Sequence, residues 1–109
     1  MAFAKRFSHS YHDGALVAVS IGRRREVSLV VRLDPVWNGG VDKECTVRLG
    51  AIQNFEDVAA FVRALRAPDH PGAYIDQVLH LGWTADGNVR FELATHGFVE
   101  ISRPKVVEI

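Results

Sequence analysis

The segment Ser8-His9-Ser10-Tyr11-His12-Asp13-Gly14 concentrates the side chains best suited to chemistry. His9, His12 and Asp13 are metal-ligand types, and His80, His96 or Asp76 could join them across a sheet. With two or three of these groups on an ion, water would keep a free position and be activated for attack. The spacing tells against it, because His-x-x-His on a loop or strand matches no enclosed metal motif. The plainer reading is structural. Asp13-Gly14 opens a strand, with Asp13 accepting backbone donors, Gly14 taking a positive φ, and His12 packed under the turn.

Other chemistry has less to stand on. Ser8 and Ser10 near the histidines would need a third member and an oxyanion hole, and neither is visible. The chain has no nucleophile elbow, phosphate loop or dinucleotide fingerprint. Asp76 and Glu92 are expected to face outward on one sheet surface as solvated carboxylates. Arg23-Arg24-Arg25 could grip phosphates, but no aromatic residues interleave with it, so a polar turn is expected. Trp37, in a glycine-flanked loop, is either an interface anchor or a lid lying back over the open end of the sheet, with the lid preferred. His70 lies in a rigid proline-glycine turn and is expected to be exposed. Cys45 is the only cysteine, which excludes an internal disulfide and a cysteine-built zinc site; it reads as a small buried hydrophobe.

The elements that must position these residues are mostly strands. The chain has 15 valines, largely at alternating positions, which is a strand signature. Ala15–Ile21 places Val17, Val19 and Ile21 on one side. After the turn at Gly22, Val27, Leu29, Val31 and Leu33 alternate in the same way, predicting a β-hairpin. Asp34-Pro35-Val36-Trp37-Asn38-Gly39-Gly40 breaks the pattern. A third strand follows over Glu44–Leu49, with Cys45, Val47 and Leu49 inward. Asn54–Arg66 is predicted as a helix capped by Asn54, with Phe55, Val58, Ala59, Val62 and Leu65 on one apolar stripe. Arg63 and Arg66 suit its C-terminal end, and Pro68 with Pro71-Gly72 ends it. Strands at Tyr74–Trp83, Asn88–Ala94, Phe98–Ile101 and Val106–Ile109 complete the series, with turns at Asp86-Gly87 and His96-Gly97. In the first of these, Ile75, Gln77, Leu79, Leu81 and Trp83 are expected on one face, opposite Asp76, Val78 and His80.

This order, without a strand–helix–strand repeat, predicts an α+β fold. Its mostly antiparallel, curled six- or seven-stranded sheet carries one amphipathic helix inserted after the third strand. Six strands span roughly 29 Å, whereas one helix is about 10 Å across. Either the sheet curls, or a second copy covers the remainder as a homodimer.

At 109 residues, 48% apolar and 24% charged, the chain fits a single domain, 1–109. Lys and Arg balance Asp and Glu at 13 each, which argues against a nucleic-acid or membrane-surface partner. The charge is unevenly spread: residues 1–33 hold six basic side chains against two acidic. The opening residues lack the apolar run of a signal peptide, no stretch suits a membrane span, and cysteine is scarce. A cytoplasmic location is expected, with no cofactor.

Tyr11-His12-Asp13-Gly14-Ala15-Leu16-Val17-Ala18-Val19 resembles the opening of a group of small, mostly uncharacterised bacterial proteins. These begin with an aromatic residue and His-Asp-Gly leading into a strand, and continue as β-rich domains of this length. Some are immunity proteins of polymorphic toxin systems, which bind a toxin and catalyse nothing. The resemblance implies a protein-binding role and carries no catalytic residues. The expected function is a non-catalytic interaction module with a protein partner, its contact residues taken as His12, Asp13 and Trp37. The alternative is a small metal-dependent enzyme using His9, His12 and Asp13.

Overall fold

The computed structural model describes residues 6–67 and 69–109; Pro68, expected to help end the helix, lies outside the described residues. The strands are β1 (Ala15–Gly22), β2 (Glu26–Arg32), β3 (Glu44–Gly50), β4 (Asp76–Trp83), β5 (Val89–Leu93), β6 (Gly97–Ile101) and β7 (Lys105–Glu108). A 3-10 turn, Pro35–Trp37, lies between β2 and β3, and one helix, α1 (Phe55–Arg63), follows β3. All seven strands join one antiparallel sheet in the order β6-β5-β4-β1-β2-β3-β7. The α+β architecture, with its helix after the third strand, is the one predicted.

The sheet curls without closing into a barrel, because its middle joint is short. β1 and β4 pair only at Ala15 with Gln77 and Leu16 with Asp76. Flanking bonds extend this joint: Asp13 N–H to the Val78 carbonyl, Val78 N–H to Gly14 and Ile75 N–H to Leu16, each 2.8 Å. Beyond the joint each strand has a register shift, between Leu16 and Ala18 in β1 and between Val78 and His80 in β4. Such bulges bend a strand and re-aim its side chains. Two leaves result, and one apolar core joins them. Val27, Leu29, Val31, Val47 and Leu49 enter it from one leaf; Val78, Leu81, Val89, Phe91 and Ile101 enter from the other. Curling therefore covers the apolar face without a second copy.

The bulges also correct the expected facing of two strands. In β1, Leu16 is buried and Val19 and Ile21 pack on the core, while the bulged Val17 is half-buried. In β4, Asp76 and Val78 point inward, Leu79 is half-buried, and Leu81 turns inward after the shift. Asp76 is thus no solvated carboxylate: it is 5% exposed. Glu92 lies apart, paired with Arg90 at 3.2 Å. Where no bulge intervenes, in β2, β3 and β5, the alternation holds, and Cys45 is buried as expected.

α1 starts after Asn54 as predicted but ends at Arg63, short of Arg66, and Asn54 makes no side-chain cap. Its amide instead accepts from Ser102 N–H at 2.8 Å and donates to the Glu100 carbonyl at 2.7 Å. That ties the start of the helix to the end of β6. Val58, Ala59, Val62 and Leu65 are buried, and Phe61 meets Phe91 edge-on at 6.2 Å. Among the described residues no helix is long and apolar enough to cross a membrane.

Candidate functional site

His12 and Asp13 reach the surface at the β1–β4 joint, and the backbone there works differently from expectation. Asp13, not Gly14, takes the left-handed conformation, at φ 61°. Gly14 is needed for closeness instead. A Cβ there would lie 2.8 Å from Val31 Cγ1 and 3.0 Å from the carbonyl oxygens of Tyr11 and Arg32. With Gly14 pressed onto β2, the Asp13 side chain is turned outward across the joint.

Trp37 approaches from the β2–β3 loop. Asp34 accepts the Val36 N–H at 2.9 Å and so caps the 3-10 turn that carries the indole. Asn38 clamps this loop to the N-terminal segment, donating to the Ser10 carbonyl at 2.8 Å and accepting from Ser10 N–H at 2.9 Å. At the base of the loop, Arg32 pairs with Asp42 at 3.0 Å. These constraints converge on one carboxylate. Asp13 Oδ2 accepts the Trp37 Nε1–H at 2.9 Å, and Oδ1 accepts the Gln77 Nε2–H at 2.9 Å. The His12 ring meets Trp37 edge-on, with centroids 4.9 Å apart. Its Nδ1 lies 2.7 Å from the Leu79 carbonyl, which can only accept, so Nδ1 carries the hydrogen.

His12, Asp13 and Trp37, the three expected contact residues, are therefore brought together. His9 is half-buried and does not join them as a metal set. Among the described residues no three His, Cys, Asp or Glu side chains are grouped to hold an ion. Trp37 lies back on the joint along one edge of its ring, yet 52% of it is exposed. Val36 beside it is 82% exposed, and Val41 on the same loop is also exposed. The cluster offers a fixed aromatic ring with an apolar rim.

No family model, curated protein or solved structure matches this chain.

A second constellation, not anticipated from the sequence, adjoins the first through Gln77. The buried Asp76 carboxylate accepts the backbone N–H groups of Gln77, Thr95 and His96, the Thr95 hydroxyl at 2.7 Å and His96 Nδ1 at 2.7 Å. Burial alone would raise its pKa; hydrogen bonds from His96, Thr95 and Gln77 outweigh that and hold it at about 2. Thr95 and His96 form the β5–β6 turn, so Asp76 fixes that turn against the start of β4. A cavity of about 420 Å³ opens beside it, lined by His70, Tyr74, Gln77 and Thr95 among others. With so many donors on Asp76, the carboxylate is committed to structure. A sequence signal existed in an aspartate that begins one strand facing a Thr-His-Gly turn, but reading it required knowing that Asp76 points inward.

Proposed function

We propose that this protein is a cytoplasmic, non-catalytic protein-binding module, of the immunity type that its Tyr11-to-Val19 opening resembles. Its contact surface is centred on Trp37, with His12 and Asp13 holding the ring and Val36 and Val41 extending the patch. The observation that carries this reading is the 2.9 Å bond from Trp37 Nε1 to Asp13 on a ring that remains half exposed. Exposed tryptophans are the residues most often found at the energetic centre of interfaces. One held rigidly before binding loses little conformational freedom on docking. Asp13 has both oxygens engaged by N–H donors, which commits it to positioning the ring.

The proposal includes a homodimer, joined along β7. This strand is one end of the sheet, and Val107 and Ile109 are exposed along it. Sedimentation equilibrium is expected to give twice the chain mass, and Val107→Lys is expected to give a monomer; a wild-type monomer removes this part of the proposal. The binding role is tested by capture from bacterial cytoplasm with the wild-type protein and with Trp37→Ala. A single protein held in stoichiometric amount by the wild type and lost by the variant is expected. Equal retention by both would contradict the reading.

A further inference from the structure

Where the N-terminal segment passes the end of β4, a cavity of about 630 Å³ opens that shares no lining residue with the Trp37 cluster. Phe7 and Trp83 stack along it, with centroids 6.1 Å apart and planes 27° from parallel. Pro104 and Val106 continue this apolar wall. Arg6 and Lys105 place two cations on the same cavity, and neither has an ion-pair partner among the described residues. Among the described lining residues one is acidic, Glu108, whose two oxygens accept the Ser8 N–H at 2.9 Å; against its single negative charge the two cations remain in excess. Pockets of roughly 300–1,000 Å³ that combine an apolar wall with a few charged groups are the usual form of small-molecule sites.

We propose that this cavity binds a small planar aromatic anion, its ring against the Phe7–Trp83 wall and its negative group between Arg6 and Lys105. A flat ring gains dispersion and stacking from the aromatic wall. A carboxylate or phosphate gives the guanidinium and ammonium a charged partner that the described residues do not supply. The site is independent of the protein-binding reading, so either stands without the other.

The test is a titration of nitrogen-labelled protein with naphthoate, followed by two-dimensional NMR. Saturable shifts are expected at Phe7, Ser8, Lys105, Val106 and the Trp83 indole N–H, and not at Trp37. The uncharged isostere naphthalenemethanol should bind roughly tenfold more weakly, the scale of one lost charge-assisted bond. Arg6 and Lys105 are exposed, so the double variant Arg6→Gln, Lys105→Gln is expected to fold. It should lose naphthoate affinity by a similar factor while leaving naphthalenemethanol unchanged. Adenosine monophosphate, titrated in parallel, distinguishes two sources of the same chemistry: tighter binding than naphthoate indicates a nucleotide, weaker binding an aromatic acid. Either result upholds the site. Absence of saturable shifts with both anions overturns it, as does equal binding of the uncharged isostere or undiminished binding by the double variant.

Discussion

Asp13 and Asp76 lie on either side of Gln77 at the β1–β4 joint, and their surroundings give them different tasks. Asp13 is at the surface and steadies a contact residue. Asp76 is buried and holds a turn, and its low pKa links it to stability. The folded-state value of about 2 lies below the ordinary carboxylate value of about 4, so the unfolded chain binds more protons between them. The stabilisation is present above pH ~4 and lost as pH falls towards ~2. Urea midpoints measured across that range should fall with acidification, and those of Asp76→Asn should fall less. At neutral pH the same variant should lose about 2 kcal/mol, as expected for a buried charged acceptor. Tyr11 makes the opposite case. Its hydroxyl is buried without a hydrogen-bond partner among the described residues, and burial, with the charges of Glu108 and Cys45, raises its pKa above the usual tyrosine value. Tyr11→Phe should therefore leave stability unchanged or raise it by about 1 kcal/mol in denaturant unfolding.

Among the elements, β2, β3 and β5 were readable from residue alternation because each buries one face along its whole length. β1 and β4 were not. A single extra residue reverses every later side chain, and no residue type at Val17 or Leu79 announces it. The same blindness hid Asp76. It also explains why the candidate site was only half legible: the types of His12, Asp13 and Trp37 marked them out, but their meeting depends on the β2–β3 loop folding back across the joint. Gly14 was singled out for the wrong reason, since it is closeness to Val31 and not φ that demands it. Gly14→Ala should cost about 2 kcal/mol or more in thermal unfolding, as overpacking against backbone does. By contrast, Arg24 and Arg25 at the β1–β2 turn both take positive φ, at 60° and 58°. Arg25→Gly should relieve that strain and leave the protein equally stable or stabilised by up to about 1 kcal/mol.

At the scale of the whole molecule, the sheet curls around one core and leaves its polar clusters at the joint between leaves. That arrangement gives the Trp37 face a rigid base: the loop is clamped by Asn38, and the indole by Asp13. The direct test of the central claim is calorimetric titration of the captured partner with the wild-type protein, with Trp37→Ala, and with Arg90→Ala on the other leaf. The account predicts that Trp37→Ala loses at least about 2 kcal/mol of binding free energy, the scale of an interface hot spot, while Arg90→Ala binds as the wild type does. Undiminished affinity of Trp37→Ala, with its fold intact, would contradict it.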